Sequence, residues 1–207
     1  MTLLKSINII GSGGHARSVV ALLLDAGYGI EGIYDDSYKA DETELILGVK
    51  LNGKVADLPK DDNEVILAVG NNELREKYFH EYSDERVKES IISSNAIVER
   101  AVTIAPSTLV FHHALINAGA KIGSNCIINS KALIEHECVI GDHCHISIAS
   151  VIGGRVRIGS HCFIGAGAVI KDQIQICDKV IIGAGSVVIK SILEPGTYVG
   201  NPLRKIK

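Results

Sequence analysis

The sequence predicts two domains of different class: an α/β nucleotide-binding domain followed by an all-β prism. Three observations carry this. Residues 7–36 read as strand, glycine-rich turn, apolar helix and second strand, the pattern of a βαβ unit. From Ile92 to Val188 every sixth residue is Ile or Val, seventeen times without a slip. The charge divides along the same line, with 10 Lys and Arg against 17 Asp and Glu in residues 1–90, and 11 against 7 in residues 91–207.

Composition sets the outer bounds. A chain of 207 residues, 46% hydrophobic and 22% charged, has material for a packed core in one large domain or two modest ones. No apolar run reaches the ~18 residues of a membrane-spanning helix. The opening "MTLLKSINII" passes into a glycine loop without the longer apolar region and cleavage site of a signal peptide. The expectation is a cytoplasmic protein with reduced cysteines and no membrane insertion. The mildly basic second half suits a phosphorylated small molecule, although an ordinary solvated surface explains the split equally well. No dense basic run points to nucleic acid.

In the first half, the strand Ile7–Ile10 meets a turn containing Gly11, Ser12, Gly13 and Gly14. A helix follows from His15 to Ala26, and a second strand ends at Asp35 and Asp36. Backbone N–H groups of such a turn and the helix N-terminus can approach phosphate oxygens. An acid at the end of the second strand can accept from a ribose or a base. The spacing G-S-G-G-H departs from G-x-G-x-x-G, which disfavours a nicotinamide dinucleotide. A later strand, "EVILAVG", ends at Gly70, Asn71 and Asn72. Asn71 reads either as a ligand contact or as a helix cap. The first domain is taken as residues 1–82 and a linker as 83–90.

The second half, 91–194, follows the hexad. A period of six fits neither a 3.6-residue helix nor plain strand alternation. It fits short strands joined by tight turns, three hexads to a triangular coil, stacked ~4.8 Å apart. The branched anchor points inward. The fourth residue after it is small, and a glycine directly after it is expected to take the turn dihedrals that other residues avoid. Residues 195–207 form a tail.

One stretch concentrates reactive side chains: "SKALIEHECVIGDHCHIS", residues 130–147. Cys126, Cys138, Cys144 and Cys162 all fall on the small position, so they read as core packing. Nothing resembles a CxxC zinc pair, and no metal is expected. His143 and His161 lie one coil apart and are expected to stack on a surface face, with His112 and His113 at a coil edge. His136 differs. It is the second residue after its anchor Ile134, outside the core, with Glu137 beside it. A histidine, with an ordinary pKa of about 6.5, is available as a base near neutrality. A neighbouring carboxylate can fix its tautomer. With a backbone donor for a developing oxyanion, such a base could serve acyl transfer without a cysteine nucleophile.

The combination of "GSGGHA", then "INAGAKIG", "LIEHECVIGDHCHIS" and the terminal "YVGNPLRKI" resembles the NeuD/PglD group of hexapeptide acetyltransferases. The resemblance covers nearly the whole chain. It implies a Rossmann-like first domain and a left-handed parallel β-helix, assembled as a homotrimer with acetyl-CoA between neighbouring β-helices. It implies an acetyltransferase for the amino group of a nucleotide-linked sugar, of the UDP- or dTDP-4-amino-4,6-dideoxy type, in surface glycan assembly. It places the catalytic base on His136 and its acidic partner on Glu137. His145 and Gly154 would face the thioester, with Ala166 and Ala184 along the pantetheine arm. Pro202 would flank the adenine, beside Leu203 where the family usually has Ala. The sugar nucleotide would meet Gly11, Ser12, Gly13, Gly14, His15, Asp35 and Asp36, with Gly70 and Asn71 nearby. Three rivals stand beside this reading: O-acetylation of sialic acid, a non-enzymatic nucleotide-sugar scaffold, and zinc-dependent hydration.

Overall fold

A computed structural model describes residues 4–39, 45–60, 63–82 and 89–207. Most of the expected linker, residues 83–88, therefore lies outside the described residues. The chain divides into two units, Met1–Ile91 and Ile92–Lys207.

The first unit is built on β1 (Leu4–Ile10), α1 (Gly14–Asp25), β2 (Tyr28–Tyr34), β3 (Leu45–Ile46), β4 (Val49–Gly53), β5 (Glu64–Leu67) and α2 (Asn72–Tyr82). The sheet order is β3-β4-β2-β1-β5, parallel throughout except the β3–β4 pair. β1 is an interior strand paired on both sides, and its second half buries Ile7, Asn8, Ile9 and Ile10 completely. α1 buries Ala16, Val19, Val20, Leu22 and Leu23, the spacing of one helix face. At the end of β1 the chain turns through Gly11 at φ +110°. A Cβ there would lie 2.7 Å from the Ala68 carbonyl oxygen, so this turn accepts only glycine. The carboxyl ends of β1, β2 and β5 lie side by side. They bring Gly11–Gly14, Asp35–Asp36 and Gly70–Asn71 to one edge of the sheet, where such folds take ligands.

The second unit is a parallel β-helix with three faces. The first face stacks six strands from Ile97–Val98 to Val187–Val188, and the second stacks five from Thr103–Ile104 to Gln175–Ile176. The third runs from Ile91–Ile92 to Val180–Ile182 and continues into the tail. Registers are exact multiples of a coil: Ile116 pairs with Ile134, and Ile134 with Ile152. The anchors fill the interior with the small residues between them.

The small position has a polar duty as well as a steric one. Thr108 Oγ1 donates to the Gly123 carbonyl at 2.8 Å. The cysteine thiols repeat this contact to Gly141, Gly153, Gly159 and Cys177, at 3.2, 3.1, 3.0 and 3.1 Å. Each links its turn to the coil above, which is why a small side chain with a donor recurs there.

Two expectations need correction. The left-handed backbone falls on the third residue after the anchor, at Glu137 (φ +58°), His143 (φ +58°) and Arg155 (φ +59°), not on the glycine directly after it. Those glycines are needed for close approach instead. A Cβ on Gly141, Gly153 or Gly165 would come within 2.7, 2.6 or 2.5 Å of a backbone nitrogen in the next coil. The second correction is His143, which is not on an open surface. It is 7% exposed, with Asn125 Nδ2 at 2.9 Å from its Nδ1 and the His161 ring stacked 5.0 Å away.

The tail breaks the hexad. Strand Gly196–Val199 pairs parallel with Val180–Ile182, and Arg204–Lys205 turns back antiparallel against it. Tyr198 and Leu203 pack on the end of the core. The reversed strand blunts what would otherwise be an open parallel edge.

Candidate active site

The corner between the first and second faces carries residues 135–138 and, one coil on, 153–156. His136 stands out from it, with its side chain 48% exposed. Its Nδ1 lies 3.1 Å from Glu137 Oε2. A carboxylate can only accept, so in the neutral ring Nδ1 bears the hydrogen and Nε2 has the lone pair. Nε2 lies over Gly154: a Cβ on Gly154 would sit 2.7 Å from it. Glycine is therefore what lets the ring occupy this place. Glu137 also accepts from Arg155 Nε at 2.9 Å. The bond from His136, and then the bond and charge of Arg155, hold the Glu137 carboxyl below the usual carboxylate range. Glu135 completes the corner, accepting from Asn117 Nδ2 at 2.8 Å and from the His136 N–H at 3.2 Å.

Backbone donors without a cap occur on this corner and on the corner between the third and first faces. At many turns the N–H of the second residue after the anchor is capped by a side chain. Asn117 caps Ala118, Asp142 caps Ser124, Asn129 caps Ser130, and Asp178 caps Ser160. Among the described residues nothing accepts from the equivalent N–H of Gly154, Ala166 or Ala184. These are three of the positions expected to face acetyl-CoA.

The structure does not gather every expected residue in one place. His136, Glu137 and Gly154 share a corner. Ala166 and Ala184 lie on the corner between the third and first faces, in turns whose neighbours Gly167 and Gly185 leave open space. His145 lies on the third face, half a coil from His136, with Asn129 Nδ2 at 3.2 Å from its Nε2 and its ring edge against Phe163. Pro202 lines a cleft of about 530 Å³ with Leu203, Tyr198, Lys190 and Leu193. Cys138 is buried, which raises its thiol to about 11, so it is no ready nucleophile.

In the first unit, Gly11, Asp35 and Asp36 line a cleft of about 180 Å³ with Val55, Val69, Lys77 and Tyr78. Asp35 is engaged within the chain: it accepts from the Ser12 N–H at 2.7 Å and from the Ser37 N–H and hydroxyl at 2.8 and 2.7 Å. Partial burial opposes its charge, but the bonds from Ser37 and Ser12 outweigh that and hold its carboxyl below the usual range. Asp36 accepts from the Tyr78 hydroxyl at 3.1 Å, and burial with this bond pushes Tyr78 up to about 12. Gly13 and Gly14 would meet nothing with an added Cβ, so the chain's own packing does not require them to be glycine. Asn71 caps α2, accepting from the Leu74 N–H at 2.9 Å. Arg75 is fully buried and donates to the carbonyls of Val69 and Gly70 at 3.1 and 3.3 Å. Burial and the Arg75 charge lower His15, within α1, to about 4.

Sequence reasoning missed Arg155, Lys77 and Tyr78. Arg155 was within reach, because it lies one coil after Glu137 at the same turn position. Tyr78 and Lys77 carry no motif, and only the fold of α2 brings them to the cleft.

Comparison with known proteins agrees over both units. Residues 6–82 match the PglD N-terminal domain, residues 137–172 the bacterial transferase hexapeptide (six repeats), and residues 155–190 the hexapeptide repeat of succinyl-transferase. A mutant of GDP-perosamine N-acetyl transferase from Caulobacter crescentus, in complex with CoA and GDP-perosamine, is 31% identical. It superposes with a TM-score of 0.90, covering 99% of this chain and 98% of that one. The acetyltransferase domain of PglB from Neisseria gonorrhoeae, in complex with acetyl coenzyme A, is 27% identical with a TM-score of 0.88, over 98% and 99% of the two chains. WeeI from Acinetobacter baumannii is 26% identical with a TM-score of 0.85, over 97% and 100%. An uncharacterized protein of Acanthamoeba polyphaga mimivirus is 35% identical over 72 residues, which is 34% of this chain and 14% of that much longer one. With a PglD-type first unit, a left-handed hexapeptide β-helix and a histidine–carboxylate pair poised over a glycine, the chain belongs to the PglD/NeuD-like family of hexapeptide-repeat acetyltransferases.

Proposed function

We propose that the protein transfers the acetyl group of acetyl-CoA directly to the amino group of a nucleotide-linked amino sugar, with His136 as general base. The carrying observation is the imidazole itself: Nδ1 tied to Glu137, and Nε2 lying over Gly154 with its lone pair outward. The amine nitrogen attacks the thioester carbonyl carbon and Nε2 takes its proton. Glu137 stabilises the imidazolium, and the uncapped Gly154 N–H is placed to donate to the oxyanion. The C–S bond then breaks, the His136 imidazolium gives its proton to the departing sulfur, and CoA leaves as the thiol with the base restored. The complexes of related proteins with CoA, acetyl coenzyme A and GDP-perosamine support an amine acceptor on a nucleotide sugar.

The cleft at Gly11, Asp35 and Asp36 is read as the sugar-nucleotide site. Asp36 and Tyr78 contact the ligand, while Asp35 holds the glycine loop in shape. In this reading acetyl-CoA lies along Ala166 and Ala184 with its adenine at Pro202, and His145 borders the thioester.

The active form is read as a homotrimer. Within one prism the His136 corner and the Ala166–Ala184 corner are separated by the first face. That face presents Ile97, Leu115, Leu133, Val151, Val169 and Val187 outward, with Ile97 53% and Val169 40% exposed. A neighbouring prism packed on this stripe would bury it and complete the acetyl-CoA groove. Sedimentation at micromolar protein should give a trimer, and a monomer would remove the basis for a shared site.

Acetyl-CoA presented with GDP-, dTDP- and UDP-linked 4-amino-4,6-dideoxy sugars tests the reaction. Release of free thiol with one of them, matched by an acetyl mass gain on the sugar, is the expected result. Sugar-nucleotide binding with no thiol release would favour the scaffold reading.

A further inference from the structure

We infer that Arg155 is a positioning residue for this reaction: it fixes Glu137, and through Glu137 the tautomer and direction of the His136 ring. The inference rests on His136 being the base. Arg155 occupies the turn position of Glu137 one coil further along. Its Nε donates to Glu137 Oε2 at 2.9 Å, and His136 Nδ1 approaches the same oxygen at 3.1 Å. One carboxylate oxygen is thus fixed from two sides.

Glu137 needs that second hold. It sits on an outer corner at φ +58° with its side chain 55% exposed. The coil below offers Gly119, which has no side chain to pack against it. A carboxylate so placed would otherwise turn freely into water. The Nδ1–H would then lose its acceptor, and the ring would revert to the mixture of free imidazole, in which the hydrogen favours Nε2. That tautomer has no lone pair facing the substrate. Arg155 neither gives nor takes a proton in the transfer. It acts by giving Glu137 one preferred rotamer. Its side chain is 60% exposed, so removal should leave the fold intact.

The test reads the ring nitrogens of His136 in the intact protein by long-range proton–nitrogen NMR, assigned with a His136→Gln variant. Wild type should show the Nδ1–H form. Arg155→Met should move the ring toward the Nε2–H form, and Arg155→Lys, which keeps a cation in reach, should restore much of the wild-type signal. Kinetically, Arg155→Met should lower kcat about two- to fivefold, the scale of one exposed ion pair, with the acetyl-CoA KM unchanged. In a Glu137→Gln background the same change should cost nothing further, because the two act through one contact. An unchanged tautomer in Arg155→Met would overturn the inference, as would a raised acetyl-CoA KM, which would make Arg155 a coenzyme contact. The two readings fail separately. Full activity in His136→Ala would remove the base, whereas an inactive His136→Ala with an unperturbed ring in Arg155→Met would remove only the role of Arg155.

Discussion

Two corners of the β-helix carry histidines within a few residues of each other in sequence, and they have opposite characters. On the corner between the first and second faces, His136 is half exposed, bonded to a carboxylate, and has Gly154 one coil on. On the corner between the second and third faces, His143 is buried, bonded to Asn125, and has His161 one coil on. In a stacked fold the residue eighteen positions away decides what a side chain can do. Glycine leaves the His136 ring room and an open nitrogen. A second imidazole fills that space above His143 and makes it structural.

The sharpest way to break this contrast is to delete each ring. His136→Ala should lower kcat by ~10²–10⁴-fold, the usual worth of a general base, with the melting temperature little changed. His143→Ala should do the reverse, leaving kcat intact and costing about 1 kcal/mol from the lost buried contacts. Equal loss of kcat in both would erase the distinction.

Next in size is the space over the ring. Gly154→Ala places a methyl 2.7 Å from Nε2, so the ring must shift. A misplacement on that scale costs roughly 10–100-fold in kcat. Unaltered turnover would show that the ring is not the base or that its position is not critical.

A third histidine sharpens the comparison through pH. His15 is lowered to about 4 from 6.5 by burial and by Arg75. The unfolded ring takes up a proton near 6.5 and the folded one only near 4, so the unfolded state binds more protons between these values. The first unit should be fully stable above pH 6.5 and lose stability as pH falls toward 4. Thermal melts against pH should show that slope, and His15→Asn should flatten it.

The smallest effects belong to the thiols. Cys138→Ala and Cys144→Ala each delete a donor to a carbonyl of the next coil, and should cost ~1–2 kcal/mol. Turnover should survive. Abolished activity in either, with His136→Ala still active, would indicate an acyl-cysteine intermediate.

The hexad made the prism legible because every anchor does the same job at the same spacing. The cysteines followed, since they fall on the one position that tolerates nothing large. What the period concealed was the division of labour inside the turn. Steric contact between coils places glycine after the anchor, and the left-handed residue two positions later is mostly not glycine at all. The tail strands were not legible either, because Gly196–Val199 and Arg204–Lys205 pair with an existing face rather than repeat. In the first unit the βαβ signal located Gly11–Gly14 and Asp35–Asp36. It could not show that Asp35 is bonded back to Ser12, or that Tyr78 and Lys77 arrive on α2. At the candidate site, His136 and Glu137 were readable as a pair outside the core, and Gly154 came from the family resemblance. Arg155 stands one coil beyond Glu137 and was passed over because a lone arginine carries no pattern of its own.

The unbroken register makes the β-helix a ruler as well as a scaffold. Inserting one whole coil of eighteen residues beyond Arg155 would lengthen the stack by about 4.8 Å and leave every column in line. The tail cleft would then stand one step further from His136, so a coenzyme bound as proposed, with its adenine at Pro202 and its thioester at His136, would be stretched by that step. Inserting a single hexad would instead rotate everything beyond it by a third of a turn, carrying Pro202 to a different face. In the proposed arrangement the span from Arg155 to the tail has to match the coenzyme, in steps no finer than one coil.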